Sequence, residues 1–296
     1  MSRDVGAPDW ERLTEELHCP LCTYNLRGLA EPRCPECGYR FGWAELTDPT
    51  LKTHPYLFEH HPKRWIWSFW RTAVGGLRPV RFWKGINPQQ KSRRGRMLLY
   101  WLLAMAVGFI SVFGMLMVVH YMRLAEERAF WVSWIQRRGL QRPATPPIPL
   151  TGVADAAARD SVLRTMAAIA LSWPAMTWLT LQIFFQSMAR AKVRGAHVLR
   201  CVVYSSDAAI WLLPFSMLVF SIFWLGGERY IPQFLALSIV YGGVIAAVLM
   251  IFRLYLAYKL YLRFDHPFLT ILASQIIGVL LAVAILLSIV RIRLHI

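Results

Sequence analysis

Two short cysteine motifs constrain this chain more than any other feature. The first knuckle, Cys19-Pro20-Leu21-Cys22, and the second knuckle, Cys34-Pro35-Glu36-Cys37, hold four of the five cysteines, with eleven residues between them. Each can offer two thiolates from one tight turn, and together they complete the tetrahedral sulfur shell that zinc prefers. Because four protein sulfurs leave no open coordination position, the pattern predicts a structural Zn²⁺ with ligands Cys19, Cys22, Cys34 and Cys37.

A redox role is the rival interpretation of a Cys-x-x-Cys motif, but redox motifs normally occur singly. Two matched pairs favour a metal site, and we expect metal binding to supply most of the folding free energy of so small a unit. Gly38 directly follows the second knuckle and would let the backbone turn its N–H groups toward sulfur. His18 and the His60-His61 pair are predicted to be solvated, with spare metal ligands as the alternative, and Cys201 to be an inert packing residue.

Long apolar runs dominate the chain after Met97. The sequence is 56% hydrophobic, above the roughly 45–50% of soluble domains. Each run approaches the length needed to cross about 30 Å of hydrocarbon. The predicted fold is therefore an all-α polytopic membrane bundle with a small N-terminal zinc ribbon. The five predicted spans cover residues 97–120, 165–189, 208–225, 231–252 and 268–290, and a four-span arrangement remains open.

The remaining boundaries follow from changes in composition. We predict a flexible leader over residues 1–17, the zinc ribbon over 18–42, a polar linker over 43–62, an interfacial segment over 63–96 and the transmembrane domain over 97–296. Residues 121–164 are predicted to be a long loop, with a second surface helix around Phe130, Trp131 and Trp134 as an option.

Charge is divided unevenly along the chain. Residues 1–62 hold six Lys/Arg and ten Asp/Glu, whereas residues 63–296 hold twenty-seven and seven. The basic residues flank apolar runs, which favours anionic lipid headgroups over nucleic acid as their partner. The start of the sequence lacks the apolar core of a secretory signal, and the Lys/Arg bias predicts a cytoplasmic ribbon.

Residues 63–84 combine aromatic and basic residues at helical spacing. Ile66, Trp70 and Leu77 belong to the apolar stripe, while Arg64 and Arg71 take the other face. Such a pattern is typical of a helix lying in the lipid headgroup layer. A helix packed on the protein's own body is the alternative.

Few ionisable residues are predicted within the spans. Asp207 lies at the edge of the third span, and Gln182 and Gln186 lie in the second. Pro174 and Pro214 predict kinks. Interhelical hydrogen bonding is the favoured role of these polar groups, with a transport path as the alternative.

Three segments resemble known families. The ribbon, including Tyr24-Asn-Leu-Arg-Gly-Leu29 and Arg33 to Gly38, looks like the short zinc ribbon fused to many bacterial membrane proteins. Leu77-Arg-Pro-Val-Arg-Phe-Trp83 and His197-Val-Leu-Arg-Cys-Val-Val-Tyr204-Ser-Ser resemble elements of the five-span Yip family, named for interaction with Ypt/Rab GTPases. This resemblance implies a role in membrane organisation or trafficking without catalysis, and a bacterial inner-membrane location.

The sequence thus predicts a non-enzymatic membrane adaptor whose ribbon presents a surface to a protein partner, with homo-oligomerisation left open. A small-solute transporter or channel is the second hypothesis. A lipid-modifying enzyme is the third, and Asp207 with Arg200 would be its candidate site.

Overall fold

The computed structural model describes residues 9–11, 16–141, 148–159, 173, 176–180, 193–225, 231–263 and 266–294. Within these ranges the chain is helical and no β-strand is formed, which confirms the predicted all-α class. The helices are α1 Trp43–Thr47, α2 Trp65–Gly76, α3 Pro79–Gly85, α4 Arg94–Arg137, α5 Leu150–Arg159, α6 Gly195–Ser205, α7 Leu212–Leu225, α8 Ile231–Leu256 and α9 Pro267–Leu294.

Shorter helical turns connect several of these elements. Turns of 3-10 helix cover Pro49–Lys52, Pro62–Arg64 and Ser206–Trp211. A π-helix, Ala257–Tyr261, continues directly from α8. The knuckles carry isolated antiparallel bridges, His18 with Asn25 and Arg33 with Arg40.

The chain divides into two compact units. The first comprises Met1–Leu102, Trp173–Asp207 and Met250–Ile296. The second comprises Leu103–Ser172 and Ala208–Leu249. Both knuckles, helices α2, α3 and α6, and the first turns of α4 belong to the first unit, whose interior contains the candidate site.

The first apolar helix is longer than the sequence predicts. Helix α4 runs without a break to Arg137, so residues 121–137, which the sequence places in a long loop, are helical, and the optional surface helix around Phe130 is part of α4. These residues contain no Gly or Pro to stop a helix. The helix ends where Gly139 adopts a positive φ of 66° and Leu140 N–H bonds the Ile135 carbonyl, a common helix C-terminus.

Two helices in the described part are long and apolar enough to cross a membrane, judged by length and composition. They are Arg94–Arg137 and the stretch Tyr241–Tyr261, and a shorter apolar helix covers Pro267–Leu281. Helices α7, α8 and α9 lie at the predicted third, fourth and fifth spans. Most of the predicted second span, with Pro174, Gln182 and Gln186, lies outside the described residues.

The interfacial segment forms two helices, because Pro79 starts a new helix at its first position. The face of α2 that packs on the protein carries both polar and apolar residues, whereas its three tryptophans are exposed. Its buried residues are Ser68, Phe69, Thr72, Ala73 and Gly76. Thr72 holds this face in place, since its hydroxyl accepts a hydrogen bond from Phe58 N–H and donates one to the Tyr56 carbonyl.

Candidate metal centre and buried ion-pair network

The two knuckles bring all four predicted ligands together. Their sulfur atoms lie within 4.8 Å of one another. The Sγ–Sγ distances are 3.6 Å for Cys19–Cys37 and 3.5 Å for Cys22–Cys34. Four sulfurs at a Zn–S distance of about 2.3 Å would be roughly 3.8 Å apart in a tetrahedron. The cluster is therefore close to the size that a tetrahedral metal ion needs, and its four cysteines can hold one.

Matching hydrogen bonds shape the two knuckles. Thr23 N–H bonds the Cys19 carbonyl and Gly38 N–H bonds the Cys34 carbonyl, both at 2.9 Å. Gly38 has a positive φ of 71°, which fits a turn at this position, and Thr23 occupies the same position in the first knuckle with a φ of 70°. This conformation is a rare one for a β-branched residue. The first knuckle therefore forms its turn at some cost in backbone strain.

The electrostatics of the cluster favour a cation. A hydrogen bond from Cys37 lowers the pKa of Cys19 to about 5. The same contact raises the pKa of Cys37, and burial raises the pKa of Cys22 to about 12. One thiolate thus opposes ionisation of its neighbours, whereas a divalent ion would stabilise the charged form of all four.

The first knuckle is hydrogen bonded to helix α6 and the residue before it. His197 Nε2 lies 2.9 Å from the Pro20 carbonyl oxygen. Arg194 N–H donates to the Leu21 carbonyl at 3.0 Å, and the Leu21 side chain is buried. These contacts use backbone carbonyls between the two cysteines, so the knuckle sits against α6 through the turn that positions its sulfurs.

The second knuckle is held by Arg263, which follows the π-helix. Its guanidinium donates to the Arg40 carbonyl at 2.6 Å and lies 5.3 Å from the centre of the Tyr39 ring. Arg263 adopts a positive φ of 55°. Both knuckles are therefore fixed to the helices of the first unit.

His197 links the first knuckle to a buried ion pair. Its Nε2 faces a carbonyl and must donate, so the ring is the Nε2–H tautomer and Nδ1 accepts from the Tyr261 hydroxyl at 2.6 Å. Burial, together with the nearby Arg200 charge, lowers the pKa of His197 to about 3. The ring is thus neutral at physiological pH.

Glu59 and Arg200 form the first buried ion pair. Arg200 Nε lies 2.8 Å from Glu59 Oε1, and both side chains are fully buried. The other two guanidinium nitrogens donate to the Tyr261 hydroxyl at 2.8 Å and the Gln90 carbonyl at 3.1 Å. The second Glu59 oxygen accepts from Arg93 N–H at 2.9 Å. That bond places a carboxylate at the N-terminus of α4, where the helix dipole favours it.

Asp207 and Arg253 form the second buried ion pair. Asp207 also accepts a hydrogen bond from the Tyr100 hydroxyl, and Arg253 donates to the Tyr204 carbonyl. Tyr204 in turn donates to Glu59 at 3.4 Å. The two pairs therefore belong to one buried ion-pair network. Its members are Glu59, Tyr100, His197, Arg200, Tyr204, Asp207, Arg253 and Tyr261.

The network separates two residues that the sequence groups. Asp207 with Arg200 is the candidate site of the third hypothesis, but Asp207 pairs with Arg253 and Arg200 pairs with Glu59. His60 was expected to be solvated, yet its ring accepts from His54 N–H at 2.7 Å and contacts the Lys91 carbonyl. His18 pairs with Glu16 at 3.5 Å and is not among the clustered metal ligands.

Other polar residues of the helices have local roles. Ser274 is buried and bonds the Ile271 carbonyl of its own helix. Gln275 lines a small cavity together with Thr177, Ser205 and Ser206. This cavity has no acid or base among its lining residues, and Cys201 is fully buried, as expected for a packing residue.

Sequence reasoning missed Glu59 and Arg253. Glu59 carries a weak signal, because it is the last acidic residue before a stretch that contains none until Glu126. A single carboxylate at the edge of so basic a region is a candidate for an internal ion pair. Arg253 follows an apolar run and is hard to distinguish in sequence from an ordinary flanking charge.

No protein-family model, curated protein or solved structure matches the chain.

Proposed function

We propose that this chain is a non-enzymatic integral membrane protein that serves as an adaptor or scaffold, with a structural zinc ribbon held at the bilayer surface. The observation that carries the proposal is the four-cysteine cluster fixed to the helical body by His197, Arg194 and Arg263. A ribbon attached on one side presents its opposite side in a defined orientation, which suits recognition of a partner.

Zinc is the proposed ion because a compact, all-sulfur tetrahedron matches its ligand preference. Four protein sulfurs leave no coordination position for a substrate, so the proposed role of the zinc is structural. Elemental analysis of the purified chain should find one zinc per molecule, and replacing the second knuckle's cysteines with serine should abolish it.

The exposed side of the ribbon is the proposed protein-interaction surface. Asn25, Arg27, Glu31 and Arg33 are solvent exposed there. We expect an Arg27→Glu, Arg33→Glu variant to keep its zinc but to lose cross-links to its partner in intact membranes. A Glu126→Arg variant is the control, because Glu126 lies on α4, far from the ribbon in the sequence. Cross-links that survive in the ribbon variant would reject this surface as the adaptor face.

Membrane insertion is supported by the two apolar helices of the described part, and five spans with a cytoplasmic ribbon remain our proposed topology. Resistance to alkaline carbonate extraction tests insertion. Labelling of cysteines introduced in the ribbon and in α5, from either side of the membrane, tests orientation. Release by carbonate would contradict the proposal. A role in membrane organisation or trafficking follows from the Yip-family resemblance.

The enzyme hypothesis is disfavoured by the burial of the ion-pair network. Asp207, Arg200 and Glu59 are each fully buried and paired, so none is available to a lipid substrate. The transport hypothesis depends on Gln182 and Gln186, and flux in reconstituted liposomes is its direct test.

A further inference from the structure

Helices α2 and α3 present an apolar face that the described part of the chain leaves exposed. We call it the tryptophan face. Its seven members are each between 44% and 57% exposed: Trp65, Ile66, Trp67, Trp70, Val74, Leu77 and Val80. Three exposed tryptophans on one short helix are unusual for a surface that faces water, because burying large apolar side chains lowers the free energy.

The buried side of these helices fixes where the tryptophan face lies. Phe69 of α2 contacts Tyr100, in the second turn of α4, with ring centres 5.3 Å apart. Gly76 packs so closely on Arg253 that any side chain there would overlap the guanidinium. Trp83 of α3 lies 5.8 Å from the Tyr261 ring.

Two of these contacts are at helix ends. Tyr100 lies in the second turn of Arg94–Arg137, and Tyr261 is the last residue of Tyr241–Tyr261, the two helices long and apolar enough to cross a membrane, while Arg253 lies eight residues before that end. Helices α2 and α3 therefore lie beside the ends of both candidate spans. If those helices cross a bilayer, the tryptophan face is level with its boundary, where indole rings are enriched.

The basic residues near these helices indicate which kind of molecule would cover the tryptophan face. The exposed basic residues on these helices or directly before them are Lys63, Arg64, Arg71, Arg78, Arg81 and Lys84. No acidic residue occurs between Glu59 and Glu126. The Arg71 guanidinium lies 5.8 Å from the Trp67 ring centre, so cation and indole share one patch. Apolar insertion beside a cluster of basic residues matches an anionic lipid surface.

We propose that α2 and α3 bind the anionic leaflet next to the ribbon, with the tryptophan face inserted below the headgroups and the basic residues among them. This inference rests on the proposed membrane location. It adds a lipid-binding surface, separate from the spans, that sets the height of the ribbon above the bilayer.

Spin labels on the full chain reconstituted in nanodiscs test the proposal. Val74→Cys places the label on the tryptophan face, Glu31→Cys on the exposed ribbon and Ile110→Cys on α4, all in a Cys201→Ser background. In anionic lipid, the Val74 and Ile110 labels should be more accessible to oxygen than to a water-soluble nickel complex, and the Glu31 label should show the reverse.

Two further experiments test whether the lipid binding depends on charge. In zwitterionic lipid, the Val74 label should move toward nickel accessibility, and Arg78→Gln with Arg81→Gln should cause the same shift in anionic lipid. If the depth of the Val74 label is unchanged in both experiments, the proposed preference for anionic lipid is wrong.

The failures are distinguishable. A Val74 label in water beside an Ile110 label in lipid would refute the inference and leave the membrane location standing. Both labels in water would refute both. A Val74 label shielded from both reagents would mean that protein covers this face, which also refutes lipid binding.

Discussion

Neutralising Glu59 should destabilise helix α6 strongly. In Glu59→Gln the Arg200 guanidinium keeps the Tyr261 hydroxyl and the Gln90 carbonyl but loses the Glu59 carboxylate at 2.8 Å, with no exposure to water. At an effective dielectric constant of about 20, two unit charges at that distance attract by roughly 6 kcal/mol. Removing one partner of a buried pair typically costs about 3–5 kcal/mol, since the remaining charge is left without compensation.

Cys201 supplies the assay. Its thiol is fully buried on α6, next to Arg200 in sequence, and burial raises its pKa, so it should react only when the helix opens. A loss of about 3–5 kcal/mol corresponds to alkylation roughly a hundred- to several-thousand-fold faster, at about 1.4 kcal/mol per factor of ten. Peptide mass spectrometry separates Cys201 from the metal ligands.

Glu31→Gln is the matched control, because it makes the same chemical change at an exposed ribbon position, where effects usually stay within about 0.5 kcal/mol. Adding Arg200→Met to Glu59→Gln should recover part of the loss, because the uncompensated charge is gone. An increase of less than about tenfold in Glu59→Gln over the control would refute the view that this pair stabilises the site.

Three other predictions concern neighbouring features. Chelating the proposed zinc should make Cys201 more reactive, because the first knuckle packs on α6; unchanged alkylation after complete metal loss would contradict this. Burial lowers the pKa of His54 to about 4 from an ordinary 6.5, so its stabilising contribution is present above pH 6.5 and is lost as the pH falls toward 4. The thermal midpoint of His54→Asn should therefore fall less with acid than that of the wild type, and parallel curves would exclude the effect. Gly76→Ala should destabilise the protein by about 1–3 kcal/mol through overlap with the pinned Arg253 guanidinium. Gly114→Ala, at an open helical position, should be neutral or stabilising in the same thermal assay.

The grouping of the four cysteines could be predicted from sequence because their spacing is local. Two Cys-x-x-Cys turns define four sulfurs almost independently of the rest of the chain, and the structure groups those four. The helical class could be predicted for a similar reason, since long apolar runs leave few alternatives.

The ion-pair network could not be predicted, because its partners are far apart in the chain. Glu59 and Arg200 are 141 positions apart by residue number, and no local pattern joins them. The end of α4 was placed too early because hydropathy falls near His120, whereas the helix persists until Gly139 permits the turn. A drop in hydropathy indicates where a helix would leave the hydrocarbon, but the helix itself ends only where its backbone can turn.

The contact between Pro20 and His197 has a consequence for biosynthesis. The two residues are 177 positions apart, so the ribbon leaves the ribosome long before its docking helix is made. During that interval both knuckles are undocked and open to cellular metal donors. We expect the proposed zinc to be loaded in this early window, because later docking would shield the first knuckle and slow exchange.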